Sequence, residues 1–514
     1  MSQFWIPIKG VAVLAGVVMA ASCTFGGLGD YEIESCDPNV ARLEDDVCNQ
    51  FNDETTCSPY QCDRSERRCI RAPRDDDRDG DPSVTCGGGD CDDQNANVSS
   101  KLVETCDGLD NNCNGIADDG VLAFTEPATV VPAEDAWEDV RIIVPLNRAD
   151  EDVRLAVAVK PAASNDCVRG FDVSREGSDT GCTILASPPD ALAAQPSIDL
   201  ASGGTVVGWV RRSGCAAGVP VLSEAPSLVS GTASESLDLA TCGAGAAHPS
   251  VAVAPADSSI ALALWRAEPA LRALTPDSAD CSTRAPVSLE AVVVSMADSM
   301  TVVASTTLSK TLSTRPPAVI GLPATTPRFL VGAALPDGGA ALFLVKDSFL
   351  PVPAAIPIPG LPNDPTGVVF GIGKLTETRA TVGVAIESGC APQKAYFAIA
   401  TVNLETDAVS VTPAILFETA ERTAFVSPAW SPERGEWLIA WIGRSIVAQR
   451  IAERDGALVA LDSSPISLEA TDRSPVTLGL LRSSATPTAW NINFLDGGAQ
   501  PGITQTSFGC SGSQ

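Results

Sequence analysis

Histidine, aromatic side chains and positive charge are all scarce in this chain of 514 residues. Its one histidine, His248, precedes Pro249 at a predicted strand start, which favours a surface turn over a catalytic base. A Ser-His-Asp or Cys-His catalytic arrangement is therefore not expected. Lys and Arg total 34 against 64 Asp and Glu, which gives a net charge of −30. This balance argues against a nucleic-acid partner, because phosphate binding requires positive charge, and it suits divalent cations.

Several chemical motifs are also missing. The sequence has no phosphate-binding glycine loop, no dinucleotide-binding fingerprint and no zinc-binding helix motif. Residues 431–437 (SPERGEW) are similar to the Ser-x-Asp-x-Gly-x-x-Trp turn of sialidase-type propellers, but they are one residue short and have Glu433 in place of Asp. We interpret them as a β-turn. No pattern identifies a carboxylate pair for glycoside hydrolysis, since such pairs form in space. We therefore expect the protein not to be an enzyme.

The N-terminus has the features of an export signal. Residues 1–10 carry one positive charge, Lys9, and the apolar run 11–21 is too short to span a bilayer. The sequence Ala-Ala-Ser-Cys at 20–23 resembles the lipobox of bacterial lipoproteins. This resemblance implies lipidation of Cys23, and Thr24 after it favours the outer membrane. The alternative is a plain signal peptide with Cys23 in a disulfide. We predict a signal peptide over 1–22 and a tether over 23–35.

Cysteine is abundant, with 17 in the chain. Such a number indicates an oxidising compartment, and removing Cys23 from 17 leaves 16, an even number. The region 36–72 is polar and holds five cysteines: Cys36, Cys48, Cys57, Cys62 and Cys69. We predict a small disulfide-stapled module, because neither a Cys-x-x-Cys pair nor a nearby histidine supports zinc. Five cysteines cannot all pair among themselves, so we expect one to reach Cys510 or another downstream cysteine.

The region 73–121 is dense in Asp and Asn. Asp-x-Asp-x-Asp-Gly at 75–80 and Asp-x-Asn-x-Asn-Gly at 110–115 match the opening of the EF-hand calcium loop. Neither pattern has the Glu of loop position 12, where Cys86 and Val121 stand, and no amphipathic helices flank them. The predicted metal ligands are Asp75, Asp77, Asp79, Asp81, Asp90, Asp92, Asp93, Asn95, Asp107, Asp110, Asn112, Asn114 and Asp118.

This region resembles the MopE-type metal-binding motif and the thrombospondin type 3 calcium repeats. The matching pieces are DRDGDP at 77–82, GDCDD at 89–93, ETCDGLDNNCNG at 104–115, and Asp118. The family name implies copper, but hard oxygen ligands favour calcium, because copper prefers imidazole, thiolate or thioether ligands. A metal-free acidic linker and another metal are the alternatives. We expect Cys86, Cys91, Cys106 and Cys113 to form two disulfides that fix the loops.

The region 122–514 is rich in Val, Ala, Thr, Ser, Leu, Pro and Gly, with short apolar runs between turn signals, a pattern typical of strands. Seven segments align as a weak repeat, which predicts a β-propeller of about seven blades. The alternative is one or two β-sandwich domains. The body resembles the degenerate propeller repeats of bacterial secreted lipoproteins. The aligned segments are LAVAV at 155–159, VVGWV at 206–210, LALWR at 262–266, VGAAL at 331–335, VGVAI at 382–386, LIAWI at 438–442 and PTAWN at 487–491.

Four tryptophans fall at one position of this repeat: Trp209, Trp265, Trp441 and Trp490. Because they recur in register, we predict blade-core packing rather than carbohydrate-stacking platforms. Two cysteine pairs are predicted as local staples between neighbouring strands, Cys167–Cys182 and Cys215–Cys242.

Taken together, these patterns predict a fold that is mainly β, with a small disulfide-rich, calcium-loop region before the propeller-like body. We expect an outer-membrane lipoprotein of a Gram-negative bacterium, lipid-anchored and either periplasmic or surface-exposed. Its expected function is binding or structural display, with calcium as cofactor and a protein or glycan as ligand. The alternatives are a glycan hydrolase or lyase on a propeller, and a copper-binding protein.

Overall fold

The computed structural model describes Cys48, residues 57–63, 65 and 69–132, and most of 137–510. The gaps within 137–510 are 144–155, 162–166, 173–177, 185–192, 202–203, 212–218, 226–230, 233–234, 242–246, 256, 268–285, 312–314, 338, 362–364, 389–393, 417–423, 444, 469–474, 483–488 and 497–501. The signal peptide, the tether, the lipidation site at Cys23 and the predicted pair Cys215–Cys242 lie outside the described residues.

The expectation of a mainly β protein is confirmed, since the described residues form 34 strands and one short 3₁₀ helix. Helices long and apolar enough to cross a membrane are not found in the described part of the chain. The chain divides into two compact units. The smaller unit comprises Met1–Val103 and Asn111–Asn114, and the larger comprises Glu104–Asp110 and Gly115–Gln514. The division therefore falls inside the predicted acidic region rather than at its end.

Disulfides, rather than an apolar core, hold the described part of the smaller unit together. Strands β1 (Tyr60–Cys62) and β2 (Cys69–Arg71) form an antiparallel ribbon, and a 3₁₀ turn spans Val84–Cys86. Few apolar side chains are buried, so cross-links supply the stability that a small core cannot. The bonds with both partners described are Cys48–Cys69, Cys57–Cys86 and Cys91–Cys113.

Four cysteines were predicted to pair among themselves: Cys86, Cys91, Cys106 and Cys113. This is confirmed for Cys91 and Cys113, which bond to each other, and is wrong for Cys86 and Cys106. Cys86 is bonded to Cys57, because the backbone brings these stretches together: the Arg74 N–H donates to the Cys57 carbonyl at 3.1 Å. Cys106 is bonded to Cys510 in the larger unit. The first cysteine cluster thus reaches the acidic region, and Cys510 pairs with a cysteine from that region.

The described residues of the larger unit form seven sheets whose main strands are antiparallel, and in sheets 1 to 6 the four main strands follow chain order. Sheet 1 holds β5 (Trp137–Ile143), β6 (Ala156–Pro161), β7 (Cys167–Asp172) and β8 (Ser178–Ile184). Sheet 2 holds β9 (Ala193–Ala201), β10 (Gly204–Arg211), β11 (Val219–Ala225) and β13 (Glu235–Asp238), while β12 (Gly231–Thr232) pairs with β8. Sheet 3 holds β14 (Ala247–Val253), β15 (Ile260–Ala267), β16 (Val287–Ser295) and β17 (Thr301–Thr311).

Sheets 4 to 6 repeat this order. Sheet 4 holds β18 (Ala318–Gly321), β19 (Arg328–Ala334), β20 (Ala340–Lys346) and β21 (Ile356–Pro357). Sheet 5 holds β22 (Pro365–Leu375), β23 (Arg379–Ser388), β24 (Lys394–Asn403), β25 (Val409–Val411) and β26 (Ile415–Leu416). Sheet 6 holds β27 (Ala424–Ser431), β28 (Glu436–Ile442), β29 (Ile446–Arg454), β30 (Ala457–Ala460) and β31 (Ile466–Ser467).

Sheet 7 combines strands from two distant parts of the chain. Its later strands are β32 (Pro475–Arg482), β33 (Trp490–Asp496) and β34 (Gly502–Cys510). Its outer strands are β3 (Leu122–Phe124) and β4 (Ala128–Pro132), which both pair antiparallel with β34. Two strands from the start of the larger unit, β3 and β4, therefore complete a sheet whose other strands come from its end.

The first strand of each sheet lies beside the first strand of the next, in the order β5, β9, β14, β18, β22, β27 and β32, and β32 lies beside β5. Apolar side chains fill the layers between sheets 2 and 3, 3 and 4, 4 and 5, 5 and 6, and 6 and 7. Most of these side chains are Val, Leu, Ile and Ala, as the composition predicts. Both faces of sheets 3 to 6 are thereby covered, and the core is a series of layers.

The strands β6, β10, β15, β19, β23, β28 and β33 contain most of the described residues of the seven segments aligned in the sequence, and each is the second strand of its sheet in chain order from β5, β9, β14, β18, β22, β27 or β32. The four repeat tryptophans are buried, so the prediction that they pack inside the fold is confirmed. Cys167 and Cys182 lie on the neighbouring strands β7 and β8, where Cys182 is opposite Arg169. Their side chains lie outside the described atoms, so that pair stays a prediction.

Candidate metal centre

The loop 75–80 of the smaller unit folds as a tight turn around Asp75. The backbone N–H groups of Arg78 and Gly80 donate to the Asp75 carboxylate at 2.7 and 3.1 Å. Gly80 has φ +93°, a left-handed conformation that favours glycine. The N–H of Asp79 donates to Asp77 Oδ1 at 3.1 Å. Alternate carboxylates are thereby held on the same side of the turn, as the sequence pattern predicts.

The three carboxylates of this turn converge. One oxygen from each of Asp75, Asp77 and Asp79 lies within 4.8 Å of the others. Asp77 Oδ2 and Asp79 Oδ2 are shielded from solvent and have no hydrogen-bond partner. A buried polar oxygen without a partner carries a large desolvation cost, so a positive ligand would stabilise both.

Asp90 brings a fourth carboxylate from a separate stretch of chain. It is 0% exposed, and its Oδ2 has no partner, while its Oδ1 accepts the Asp92 N–H at 2.9 Å. Burial raises the pKa of Asp90, and the negative charges of Asp77 and Asp79 raise it further. Burial likewise raises the pKa of Asp77, with Asp79 and Asp75 adding to the increase. Unpartnered carboxylates in mutual repulsion are the environment that a cation neutralises.

Asp93 fixes the loop against the Asp90 stretch. Its Oδ1 accepts the Asp76 N–H at 3.0 Å, and its Oδ2 lies 3.6 Å from Arg74 Nε. Arg74 also donates to Asp76 Oδ2 through Nε and Nη2, at 2.9 and 2.7 Å. Burial raises the pKa of Asp93, with Asp76 adding to the increase and Arg74 opposing it. No pattern in the sequence pointed to Arg74 and Asp76 in this role.

Asp81, predicted as a ligand, is fully used by hydrogen bonds. Its Oδ2 accepts the Ser100 N–H at 2.9 Å, the Ser100 hydroxyl at 2.5 Å and the Ser99 hydroxyl at 3.2 Å. Its Oδ1 accepts the Gly89 N–H at 3.3 Å. The Ser100 hydroxyl makes the largest contribution to lowering the pKa of Asp81. We therefore remove Asp81 from the predicted ligand set and assign it to the support of the loop.

The second predicted loop repeats the first one locally. The Gly115 N–H donates to Asp110 Oδ2 at 2.6 Å, and the Asn114 N–H donates to Asn112 Oδ1 at 3.0 Å. Gly115 has φ +89° and Cys113 has φ +56°, which match Gly80 and Arg78 in the first loop. Asp110 belongs to the larger unit, whereas Asn112 and Asn114 belong to the smaller one.

The remaining predicted ligands lie at the surface or bind their own backbone. Asp92 is exposed and Asn95 is half-buried, with Asn95 Oδ1 accepting the Asn97 N–H at 3.3 Å. Asp107 is exposed, and its Oδ1 accepts the Leu109 N–H at 2.9 Å. These contacts are turn interactions that Asn and Asp commonly make.

Asp118 was also predicted as a metal ligand, which stays a prediction, and its carboxylate contacts backbone N–H groups and an arginine. Its Oδ1 accepts the N–H groups of Asp107 and Gly108, both at 3.0 Å, and its Oδ2 lies 2.5 Å from Arg434 Nη2. Asp118 lies within ligand distance of Cys106 and Cys510, but those two sulfurs form a disulfide and are not thiolate ligands. The carboxylate is therefore a partner of an arginine.

Arg434 lies in the segment 431–437, which was predicted as a β-turn. The Gly435 N–H donates to the Ser431 carbonyl at 2.9 Å, so this turn is one residue wider than a β-turn. Glu436 follows on β28, where burial raises its pKa and the charges of Arg450 and Arg434 oppose the increase. No sequence pattern linked these residues to the acidic region.

Residues 90–119 match the Cu-binding_MopE family model, whose description is "Putative metal-binding motif". The match includes Asp90 but not the loop 75–80. No curated protein matches the chain.

Solved structures resemble the chain at low identity. A protein of unknown function from Dyadobacter fermentans is 13% identical, with a TM-score of 0.34 over 64% of this chain and 98% of that chain. An α-L-arabinanase from Penicillium chrysogenum, complexed with arabinobiose, is 10% identical, with a TM-score of 0.37 over 63% and 96%. Raptor from Chaetomium thermophilum is 8% identical, with a TM-score of 0.42 over 77% and 29%. The candidate metal site is therefore assigned from the positions of its own residues and not from these structures.

Proposed function

We propose that the smaller unit binds one calcium ion through Asp77, Asp79 and Asp90, with Asp75 completing the group. The observation that carries this proposal is the fully buried Asp90, whose Oδ2 has no partner and whose pKa is raised by burial and further by Asp77 and Asp79. Such a carboxylate is costly to bury unless a cation neutralises it.

Calcium suits the donor set better than copper does. The group consists of carboxylates, and calcium takes six to eight oxygen ligands in flexible geometry. Copper prefers imidazole and sulfur ligands. Magnesium requires near-ideal octahedral geometry, which a turn of alternate carboxylates does not readily supply. With waters completing the shell, we expect a Kd of roughly 10⁻⁴–10⁻³ M, the range of extracellular calcium modules.

The role of the ion is structural. It would join the loop 75–80 to the stretch around Asp90, where Asp93 already holds the backbone of Asp76. Neutralising several crowded carboxylates removes their mutual repulsion. The disulfides Cys57–Cys86 and Cys91–Cys113 bracket the same stretch and restrict its movement.

For the larger unit we propose a seven-bladed β-propeller. Three observations support it. There are seven sheets with four main strands each, their first strands neighbour one another from β5 through β32 and back to β5, and apolar layers lie between successive sheets from sheet 2 to sheet 7. Sheet 7, built from β34 with β3 and β4, is the kind of joint that closes a ring of blades.

For the whole chain we propose an outer-membrane lipoprotein that binds or displays a protein or glycan ligand, without catalysis. The lipobox-like sequence ending at Cys23 and the number of cysteines support export and anchoring. The choice of binding over catalysis rests on the absence of a catalytic motif from the sequence, and the ligand class rests on analogy with propeller faces.

Thermal unfolding tests the calcium site. At about 10 mM calcium, we expect the free energy of unfolding of the smaller unit to rise by about 1–3 kcal/mol. EDTA should reverse the rise, and magnesium should not reproduce it. Asp90→Asn should abolish it, whereas Asp92→Asn, which removes the same charge from an exposed side chain nearby, should leave it intact. Equal responses of the two variants would contradict the proposal.

A competition arm separates calcium from copper. Copper that binds in excess calcium, and is lost in Asp90→Asn, would assign the site to copper instead.

Membrane fractionation tests the lipid anchor. The natural chain expressed in a Gram-negative host should partition with membranes, and Cys23→Ser should release it to the soluble fraction. A natural chain that is already soluble would contradict the lipoprotein proposal.

A further inference from the structure

The second half of the family-matched segment lies in the larger unit and makes contacts of a different kind from those of the cation group. We define the clasp as residues 104–110 and 115–120. Within it, both oxygens of Asp118 are used, by the N–H groups of Asp107 and Gly108 and by Arg434. Asp118 is 0% exposed and the Arg434 side chain is almost fully buried. This is a buried ion pair in which both carboxylate oxygens accept hydrogen bonds.

Further contacts hold the same segment. The Asp118 N–H donates to Glu104 Oε2 at 2.7 Å, which ties the two parts of the clasp together. Arg450 Nη1 donates to the Ala117 carbonyl at 3.0 Å, and Arg454 donates to the Gly115 carbonyl. Three arginines from the turn and strands of sheet 6 therefore bind one short stretch of chain.

Arg450 is itself held firmly in place. It is fully buried, and it donates to Asp462 Oδ1 through Nε and Nη2 at 3.0 and 2.9 Å. Its Nη1 also lies 3.4 Å from Glu436 Oε2. Because two carboxylates fix the Arg450 guanidinium, its Nη1 donor points in one direction, toward the clasp.

The clasp also has a covalent attachment. Cys106 is bonded to Cys510, the last residue of β34, and Leu122 of β3 pairs with Cys510 in the same sheet. The clasp thus contacts sheet 6 through arginines and sheet 7 through a disulfide. It leads directly into the strands that complete sheet 7.

We propose that the second half of the motif is an arginine-bound clasp that fastens the beginning of the larger unit to sheets 6 and 7, with Asp118 serving as counter-ion to Arg434 and not as a cation ligand. The positive charge of Arg434 beside Asp118 Oδ2 would repel a metal ion there. Residues that a family comparison groups into one metal motif therefore have two roles in this chain.

Amide hydrogen exchange on the full natural chain tests this without any substitution. The N–H groups of Asp107 and Gly108 should be protected to the same extent, within about twofold, in EDTA and in calcium. If Asp118 instead bound the ion, calcium would raise their protection about tenfold or more, and the clasp proposal would be overturned.

Substitution identifies the arginine as the cause. Arg434→Gln should increase exchange at Asp107 and Gly108 by about tenfold or more and lower the melting temperature of the larger unit by roughly 3–10 °C. Calcium affinity should match that of the natural chain. If this variant fails to fold, Arg434→Lys takes its place. Lysine retains the positive charge but lacks the planar guanidinium, so the increase in amide exchange should be smaller. Unchanged exchange in either folded variant would refute the clasp.

Calcium titration completes the test. Asp118→Asn should bind calcium with the same stoichiometry as the natural chain and an affinity within about threefold, whereas Asp90→Asn should lose binding. A loss in Asp118→Asn equal to that in Asp90→Asn would place Asp118 at the ion and overturn the proposal. If the natural chain binds no calcium, the proposed metal function fails, while the exchange result for Arg434→Gln still decides the clasp.

Discussion

Cys106 is joined by a disulfide to Cys510, which lies 404 positions further along the chain. The bond encloses nearly all of the larger unit, so it restricts the unfolded chain over its whole length. Replacing both cysteines by serine should lower the free energy of unfolding of the larger unit by about 2–5 kcal/mol. Calorimetry would measure this, with Cys48→Ser/Cys69→Ser, which opens a short loop in the other unit, as control. An unchanged larger-unit transition would contradict the prediction.

A substitution of Asp81 tests whether its carboxylate supports the loop or binds the ion. Asp81→Asn should weaken the contacts with Ser99 and Ser100 and lower the melting temperature of the smaller unit in EDTA. The increase on adding calcium should equal that of the natural chain, because the unpartnered oxygens belong to other residues. Melts with and without calcium measure both quantities. A lost calcium response would return Asp81 to the ligand set.

The strands β22 and β27, which are the first strands of neighbouring sheets, approach each other closely, and this can be tested at Gly371 on β22. A Cβ there would lie 2.2 Å from the Pro428 carbonyl oxygen on β27, and backbone cannot easily move aside. Gly371→Ala should destabilise the larger unit by about 1–3 kcal/mol. Gly208→Ala on β10 is the matched control, because its nearest neighbour would be 3.7 Å away. Chemical denaturation of both variants measures the contrast, and equal stabilities would contradict the strand spacing.

The ion triad of Asp407, Arg328 and Lys346 predicts a dependence on pH. Asp407 Oδ1 accepts from Arg328 Nε at 2.8 Å, and Oδ2 lies 2.5 Å from Lys346 Nζ. Burial acts to raise the pKa of Asp407, but the hydrogen bonds and charges of Arg328 and Lys346 outweigh it and lower the pKa. Its stabilising contribution is therefore present above the unfolded pKa of about 3.9 and is lost as the pH falls through the folded pKa.

Asp407→Asn should therefore cost about 1–2 kcal/mol at neutral pH. The difference from the natural chain should shrink as the pH is lowered below about 4. Asp337→Asn, an exposed turn residue, should change stability by less than about 0.5 kcal/mol throughout. Denaturation over a pH series measures both differences. A gap for Asp407→Asn that stays constant with pH would show that the carboxylate charge is not the cause.

Local patterns were readable from the sequence because neighbouring residues create them. The spacing of Asp75, Asp77, Asp79 and Gly80 is sufficient to build the turn, since its hydrogen bonds span five residues or fewer. Short apolar runs between turn signals predicted the second strands of the sheets, and the recurring tryptophans identified buried positions on them.

Distant partners could not be read in the same way. Arg434 lies 316 positions from Asp118, on a turn whose sequence predicts only a turn. The buried state of Asp90 depends on packing that no spacing rule describes. Disulfide connectivity is equally hard to read from spacing: Cys86 and Cys106 bond to cysteines outside the predicted group of four, whereas Cys91 and Cys113 bond to each other within it.

Sheet 7 also imposes an order on folding. Its outer strands β3 and β4 are synthesised long before their partner β34. The main strands of each of sheets 2 to 6 come from one part of the chain and can pair as the chain emerges, whereas β3 and β4 must wait unpaired until β34 has been made. The larger unit therefore reaches its native state only after β34 has been synthesised, and a truncation that removes β34 should expose the edges of strands at both ends of the unit.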